Sequence, residues 1–262
     1  MTNAALHVAR TGLDAQNTKM QVIANNLANV NTTGFKKDRA NFETLAYQQI
    51  VAAGAQSDAE NKYAVGLSLG SGVQMTGTAR IDTQGSLTTT NNSLDLAIEG
   101  SGYFQVEMPD GTIGYTRAGN FSLSSEGVVV TSDGLPLQPQ IQVPEGASSL
   151  TIGTDGTVSA TMAGDSAPTE LGRIETARFI NPAGLEAQGN NIYKETAASG
   201  QPQVGAAGLE GRGPIRQGAL EGSNVNVVEE LVDMIETQRA YEVNSKMISA
   251  TDEMLQYVNQ KL

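Results

Sequence analysis

The chain contains no cysteine and no tryptophan, and only one histidine among its 262 residues. The absence of cysteine excludes disulfide bonds and cysteine-ligated metal sites, and it suits a protein that leaves the cytoplasm. A Ser-His-Asp triad would have to use His7, and no nucleophile-elbow motif accompanies that residue. Aromatic residues make up only 5% of the chain, whereas glycine occurs 29 times. This composition favours many short strands and tight turns.

Basic residues are also scarce, because 16 lysines and arginines face 28 acidic residues and leave a net charge of −12. The charge argues against nucleic acid and anionic membranes as partners, since both need a basic patch. No window approaches about 18 apolar residues, so we expect no insertion into a membrane. The first residues lack a charged stretch followed by an apolar run, and we therefore expect no cleaved Sec-type signal.

Acidic side chains give no clear sign of catalysis or cation binding. They cluster at the predicted start of the last helix, without a histidine or a calcium loop, at Glu229, Glu230, Asp233 and Glu236. An acidic helix start favoured by the helix dipole explains them better than a cation site. A pair of carboxylates for glycan cleavage stays open as an enzyme alternative, because no feature of the sequence selects such a pair.

Apolar residues recur every seven positions near both ends of the chain, a repeat that keeps one seam of a helix against a partner helix. We predict a first helix from about Leu6 to Val30, ended by the Asn31–Gly34 turn. A second helix begins at the N-cap Asn226 and runs to Leu262. The residues predicted to pack these helices are Leu6, Leu13, Met20, Ile23, Leu27, Val30, Val227, Leu231, Met234, Tyr241, Ile248, Leu255 and Val258.

The polar face of the first helix is rich in amides rather than charges. Its side chains are Gln16, Asn17, Gln21, Asn25, Asn26 and Asn29. Because asparagine is a mediocre helix former, we expect this helix to be marginal in isolation. An amide face can be buried against another polar surface without the desolvation cost that buried charges carry.

The middle of the chain, from about Val73 to Gly208, has a β pattern. Asp-Gly pairs follow or separate strand-like runs at Asp110-Gly111, Asp133-Gly134 and Asp155-Gly156. Because both residue types tolerate positive φ, these pairs predict hairpins and a mainly antiparallel domain. The preceding stretch, 52–72, is interpreted as an extended connector or hairpin. Its glycine-rich end, 66–72, lacks the Gly-Lys-Ser/Thr ending of a phosphate loop and is predicted to be a flexible turn.

These patterns predict an α+β fold in which N- and C-terminal helices pair as a coiled-coil module, with an inserted, mainly antiparallel β domain. Residues 1–34 and 223–262 form the helical domain in this prediction. Residues 35–72 and 205–222 form a connector segment, and residues 73–204 form the β-rich outer domain.

Two end motifs and three central motifs of the chain form a recognisable set. The end motifs are carried by Ala24, Asn25, Asn26, Leu27, Asn29, Asn31, Thr32, Gly34, Phe35, Lys36, Asn224, Asn226, Glu230, Leu231, Gln238, Arg239, Ala240 and Tyr241, and the central ones are Gly102–Val106, Tyr115–Arg117 and Gly119–Phe121. The end motifs resemble the signatures of the flagellar basal-body rod and hook protein family, with a nearly unbroken match from residue 24 to residue 36. The central motifs resemble the β-domain core of the same family.

Within the family, the chain is too short for a hook protein and carries a segment typical of rod proteins. That segment includes Tyr47, Gly54, Ala55, Gln56, Gly66 and Leu67. It favours a subunit of the distal part of the rod, with a subunit of similar size from the proximal part as the alternative. The competing classes are a glycan-active enzyme and a monomeric adhesin or adaptor, and both require the two end signatures to be coincidental.

The resemblance implies a structural protein with no catalytic residue, cofactor or metal. It implies a tubular helical homopolymer that acts as a drive shaft in the basal body and spans the periplasm to the outer membrane. The implied partners are further copies of the chain, proximal rod proteins, the hook protein, the surrounding P and L ring proteins and the flagellar type III export apparatus. The terminal helices would form the inner tube and order on assembly.

Overall fold

The computed structural model describes residues 2–54, 56, 64–162 and 167–261, with all side chains in these ranges except those of 2–5, 255 and 258–261. The predicted site residue Ala55 lies outside the described residues. Leu255 and Val258 belong to a described helix, but their side chains lie outside the description.

Two long helices confirm the helical predictions for the chain ends. Helix α1 spans Thr2–Ala28 and is followed by the predicted turn, in which Gly34 has φ +69°. Helix α2 spans Val227–Lys261. Asn226 caps α2 as predicted, because its side-chain oxygen accepts a hydrogen bond from the backbone N–H of Val228 at 3.1 Å.

Short strands occupy most of the chain between the helices. In chain order they are β1 (Asp38–Thr44), β2 (Tyr47–Val51), β3 (Leu67–Gly70), β4 (Val73–Arg80), β5 (Leu87–Thr89), β6 (Leu96–Ile98), β7 (Tyr103–Glu107), β8 (Ile113–Thr116), β9 (Ser122–Leu123), β10 (Val129–Val130), β11 (Leu137–Gln138), β12 (Ala147–Ile152), β13 (Thr157–Met162), β14 (Thr169–Arg173), β15 (Glu175–Arg178), β16 (Glu186–Gly189), β17 (Ile192–Lys194), β18 (Gln203–Ala206), β19 (Ile215–Gln217) and β20 (Ala219–Glu221). A 3₁₀ turn, Pro182–Gly184, precedes β16.

The chain divides into two compact units. Unit 1 consists of Met1–Leu27, Asp38–Ala79 and Asn226–Leu262, and unit 2 consists of Ala28–Lys37 and Arg80–Val225. Unit 1 therefore holds both helices and two two-stranded sheets. One sheet is formed by β1 and β4, and the other by β2 and β3.

Strands begin earlier in the chain than the sequence predicted. The first strand starts at Asp38, whereas the β pattern was expected from about Val73. The glycine-rich stretch predicted to be a flexible turn instead contains strand β3, which pairs with β2 so that Gln48 faces Leu69. These strands are stabilised by pairing with distant segments, and their own sequences show no clear alternation of apolar and polar residues.

Unit 2 is built around a seven-stranded sheet in the order β16-β17-β8-β7-β15-β18, with β11 also pairing with β7. The β7–β8 and β12–β13 hairpins confirm the turns predicted at Asp110-Gly111 and Asp155-Gly156. At Asp133-Gly134 the chain also turns, but the strand before it, β10, pairs with the earlier β9 instead of forming a long hairpin. A second sheet has the order β12-β13-β14.

The core of unit 2 covers both faces of β7, because successive side chains on a strand point to opposite faces. Phe104, which is fully buried, belongs to a large aliphatic cluster with Val106, Leu137 and Ile174. Its neighbour Tyr103 belongs to a second cluster of six residues in which aromatic rings meet edge to face. A tight aromatic cluster therefore stabilises this unit although aromatics are scarce in the chain.

Candidate functional site

Three charged side chains are buried together in unit 2. The Glu221 carboxylate accepts a hydrogen bond from Lys36 Nζ at 2.7 Å and lies 3.3 Å from Arg117 Nη1. All three side chains are at most 1% exposed. Lys36 belongs to the N-terminal signature. Arg117 directly follows β8, in the Tyr115–Arg117 stretch that resembles the family core. Glu221 was not among the residues predicted from the sequence.

Backbone groups add further hydrogen bonds to this ionic cluster, which we call the junction (Lys36, Arg117 and Glu221). Lys36 Nζ also donates to the Thr83 carbonyl oxygen at 2.8 Å, and the Gly85 N–H donates to the Glu221 carboxylate at 3.0 Å. Burial lowers the pKa of Lys36, and the neighbouring Arg117 cation acts in the same direction, whereas the Glu221 carboxylate opposes both. Glu221 is therefore the group that keeps two buried cations compatible with the folded state.

The same place brings the two family signatures together within unit 2. The Gly34 N–H donates to the Glu221 carbonyl oxygen at 2.7 Å, and the Lys37 N–H donates to the Asn224 side-chain oxygen at 2.7 Å. The Asn224 amide nitrogen donates to the carbonyl oxygen of Ile81 at 2.8 Å. The segment that leaves α1 and the segment that leads into α2 are thus tied to each other by both backbone and side-chain hydrogen bonds.

A second polar contact between the signatures lies in unit 1. Asn26 is 2% exposed, and its side chain exchanges two hydrogen bonds with the backbone of Asp38, at 2.9 and 3.0 Å. The Asn26 amide nitrogen also donates to the carboxylate of Glu230 at 3.2 Å, and Glu230 is 4% exposed. One amide of the predicted polar face is therefore buried against the C-terminal signature, as a neutral partner for a carboxylate.

The two helices also meet at Gly12. A Cβ atom at this position would lie 3.0 Å from the Asn244 side-chain nitrogen, so glycine permits a close approach of α1 to α2. Gly12 and Asn26 are fourteen residues apart on α1, as Glu230 and Asn244 are on α2, but the order is reversed. The helices are therefore antiparallel neighbours, and the interval equals two heptads. A regular coiled coil over their full length stays a prediction.

The residues predicted to pack the helices differ in exposure. Ile23 is 4% exposed, whereas Val227, Leu231 and Tyr241 are 40–43% exposed. The remaining described members of the set are partly buried, namely Leu6, Leu13, Met20, Leu27, Val30, Met234 and Ile248.

The signature residues also divide by burial. Asn26, Gly34, Lys36 and Glu230 are buried, and those that are partly buried are Leu27, Asn29, Thr32, Phe35, Asn224 and Ala240. The exposed ones are Ala24, Asn25, Asn31, Asn226, Leu231, Gln238, Arg239 and Tyr241. Of the rod-type segment, Gly66 is partly buried, whereas the exposed residues are Tyr47, Gly54, Gln56 and Leu67.

Unit 1 exposes two groups of apolar side chains. The first, which we call the helix patch, consists of Val228, Leu231, Val232 and Ile235 on α2, and these residues are 43–70% exposed. The second, the hairpin patch, consists of Val51, Leu67 and Leu69 on one face of the β2–β3 hairpin, where both leucines are about half exposed. Clusters of this kind on a subunit surface mark interaction sites.

The described part of the chain shows little that is suited to catalysis. Within it, no group of three histidine, aspartate or glutamate side chains is arranged to hold a metal ion. One open depression in unit 2, of about 570 Å³, is lined by Lys194 and Glu195 beside Tyr115. Burial raises the pKa of Tyr115 to about 12, which leaves its phenol protonated at neutral pH. Among the helices described, none is long and apolar enough to cross a membrane.

Comparison with known proteins identifies the class to which this arrangement belongs. Residues 6–36 match the family model "Flagella basal body rod protein", residues 97–160 match "Flagellar hook protein FlgE/F/G D1 domain", and residues 216–261 match "Flagellar basal body rod FlgEFG protein C-terminal". The chain belongs to the flagellar basal-body rod and hook protein family. It is a structural protein of the flagellar basal body that assembles into the rod with other flagellar components, and the family is not one of enzymes.

The individual relatives with which the chain was compared are basal-body rod proteins. The chain is 50% identical over 256 residues to the flagellar basal-body rod protein FlgG of Buchnera aphidicola from Acyrthosiphon pisum, with 98% of each chain covered. It is 48% identical to FlgG of Borreliella burgdorferi, with 97% of each chain covered. The flagellar basal-body rod protein FlgF of Caulobacter vibrioides is 35% identical, with 93% of this chain and 92% of FlgF covered.

Proposed function

We propose that the chain is a subunit of the distal rod, where it polymerises into a rigid helical tube that transmits torque from the motor to the hook. The observation that carries the proposal is the exposed apolar surface of α2 in a chain that belongs to a rod family. Similarity to FlgG proteins over nearly the whole length, at 50% identity, supports a rod subunit with the rod-type hairpin.

The exposed surface of α2 is large enough to contribute to assembly. Ten large apolar side chains of the described part of α2 are 40–70% exposed. Full burial of such a side chain is worth about 1.5–3 kcal/mol, so covering the exposed half of each gives about 1 kcal/mol, on the order of 10 kcal/mol for the helix. This free energy is available only when another molecule covers the helix. Head-to-tail contacts that do not close then generate a helical filament.

In this proposal the inner tube is formed by the terminal residues 1–34 and 223–262. A connector, which includes the rod-type segment, is formed by residues 35–72 and 205–222. The outer β domain is formed by residues 73–204. The predicted packing residues lie at contacts within and between copies. The partners are neighbouring copies, proximal rod proteins, the hook protein, the P and L ring proteins and the type III export apparatus. The rod extends through the periplasm to the outer membrane.

A proximal rod subunit of similar size is the second candidate. It stays open because the chain is also 35% identical, over most of its length, to a second kind of basal-body rod protein, FlgF. The higher identity to FlgG, 50%, favours the distal position. Deletion of the chromosomal gene, with isolation of the remaining basal bodies, separates the two: a distal subunit leaves a short rod stub, and a proximal subunit leaves no rod beyond its base.

Negative-stain electron microscopy of the purified chain, with isolated basal bodies as seeds, tests self-assembly. We expect tubes of uniform diameter from the full chain and none from a chain that lacks residues 1–30. Leu27→Asp or Leu255→Asp is expected to block assembly while unit 2 stays folded, because a carboxylate would be buried in the helix contacts. Leu123→Asp is the matched control, since Leu123 is an exposed leucine of unit 2, outside the terminal helices. Tubes from Leu27→Asp would contradict the proposal for these contacts.

We propose further that the rod-type segment fixes subunit orientation and makes the shaft straight and stiff. Its hairpin, β2–β3, has little burial within its own chain, so its contacts are available to the polymer. Deletion of residues 54–66 is expected to give curved or irregular rods in electron micrographs. Straight rods of unchanged diameter from the deletion variant would show that orientation is set elsewhere.

A further inference from the structure

Among the described residues, no element of the same subunit covers the β2–β3 hairpin. All four residues of Leu67–Gly70 and four of the five residues of Tyr47–Val51 are exposed. A two-stranded hairpin is marginally stable in water and needs additional strands or a helix packed against it. A second molecule that packs on the hairpin would supply this support.

One face of the hairpin carries both of its leucines. Residues that pair across the two strands point to the same side, so Leu69 lies beside Gln48 and Leu67 beside Val51. An irregularity between Gln49 and Val51 shifts the register by one residue. Because of this bulge, Val51 lies on the same face as the two leucines, and the hairpin patch is continuous.

The helix patch points away from α1. Glu230 and Asn244 contact α1, and the buried Thr237 lies between them on the same side of α2. At 3.6 residues per turn, Val228 and Val232 lie on the opposite side of the helix. They are 70% and 51% exposed. Helix α2 therefore has one polar face toward α1 and one apolar face left for a second molecule.

Charge indicates which surface covers the helix patch. The patch is flanked by Glu229 and Glu236, so two helix patches placed together would bring like charges into contact. Strands β2 and β3 carry no charged residue. Outside α2, four of the seven large exposed apolar side chains described in unit 1 lie in β2 and β3, at Tyr47, Ile50, Leu67 and Leu69. The uncharged hairpin is the surface that fits.

We propose that the hairpin patch of one copy docks on the helix patch of a neighbouring copy. A head-to-tail polymer needs two different, complementary surfaces on each subunit, and these two patches meet that need. The contact rests on the proposed function, since it requires a polymer. It assigns one role to each face of α2: the polar face holds α1 of the same subunit, and the apolar face binds the hairpin of the next.

Disulfide cross-linking tests the contact without interference from native cysteines, because the chain contains none. Two full-length variants, Val232→Cys and Leu69→Cys, are expressed together in a flagellated strain that lacks its own copy, and the isolated basal bodies are oxidised. We expect at least tenfold more disulfide-linked dimer from this pair than from either variant alone. Ile180→Cys, at a residue 80% exposed in unit 2, replaces Leu69→Cys in the control pair and is expected to give only background.

Rods without the mixed dimer, or a dimer formed by Val232→Cys alone, would overturn the contact while leaving the proposed function intact. If the cysteine variants assemble no rods, a charge pair decides the question. Val232→Lys and Leu69→Glu should each reduce the number of rods at least tenfold, and a chain that carries both should restore them. A double variant no better than the single ones would refute the docking. The proposed function itself fails if the unaltered chain is absent from isolated rods.

Discussion

Replacing Glu221 with glutamine tests whether the junction stabilises unit 2 through its charge. The substitution preserves the shape of the side chain and removes the only carboxylate within salt-bridge distance of both buried cations in the described structure. The Lys36 and Arg117 side chains, 0% and 1% exposed, would then lack their shared counter-ion. The polar contact to the Gly85 N–H can persist through the amide oxygen.

The expected cost follows from the burial of the ions. Breaking a buried ion pair by neutralising one partner costs about 3–5 kcal/mol, because an uncompensated charge stays behind. Asp82 also attracts Lys36, so we take the lower limit, about 3 kcal/mol. That value reduces the ratio of folded to unfolded molecules roughly a hundredfold. It lowers the melting temperature by about 6–12 °C for a unit of this size.

The assay is urea unfolding followed by near-ultraviolet circular dichroism of the packed tyrosines, with two matched controls. Lys36→Met should cost only about 1 kcal/mol, since Glu221 still pairs with Arg117. Glu99→Gln removes a salt bridge to Arg216 in which the Glu99 side chain is 41% exposed and the Arg216 side chain 51%. Because this pair is exposed, the substitution should cost less than about 1 kcal/mol. If Glu221→Gln is no more destabilising than Glu99→Gln, the reasoning from buried charge is wrong.

Three further predictions concern single positions. Gly34→Ala should lower the free energy of unfolding by at least about 2 kcal/mol, because φ is +69° and a Cβ would lie 2.6 Å from a backbone carbon. Gly134 has φ +81° but free space around it, so Gly134→Ala should cost only about 1 kcal/mol in the same urea titration. Burial raises the pKa of Tyr115 to about 12, so the unfolded chain loses this proton first as pH rises above 10, and the free energy of unfolding falls there. This fall should be smaller in Tyr115→Phe, and an equal dependence of the free energy of unfolding on pH in both chains would contradict the prediction. Gly12→Leu should reduce rod number at least tenfold in electron micrographs by pushing against Asn244, and Asn244→Ala in the same chain should restore rods.

Features that depend on neighbouring residues could be predicted from the sequence. The N-cap at Asn226 and the hairpin turn at Asp110-Gly111 are set by side chains and backbone angles within a few positions. The heptad spacing of Leu13 and Met20 likewise predicted a helix at one end of the chain. In each of these cases the structure is determined by residues that are close to one another in the sequence.

Features that depend on distant residues could not be predicted. Glu221 pairs with Lys36 across 185 positions, and nothing beside Glu221 distinguishes it from the other acidic residues of the chain. Lys36 belongs to the nearly unbroken N-terminal match, and a buried lysine requires a carboxylate partner, but the sequence does not say which residue supplies it. The order of the central sheet was similarly inaccessible, because strand patterns do not specify which strands pair.

The magnitudes also explain why such a subunit can stay separate until it reaches a growing rod. The roughly 10 kcal/mol available from covering α2 is similar to the 4–15 kcal/mol that association costs in lost freedom, so one contact between two free subunits gains little. The net charge of −12 adds repulsion between them. At the end of a rod, several neighbours cover the helix and the hairpin of an incoming subunit at once, while the cost of lost freedom arises only once. In the proposed polymer, growth at an existing end is therefore favoured over the formation of new polymers in solution.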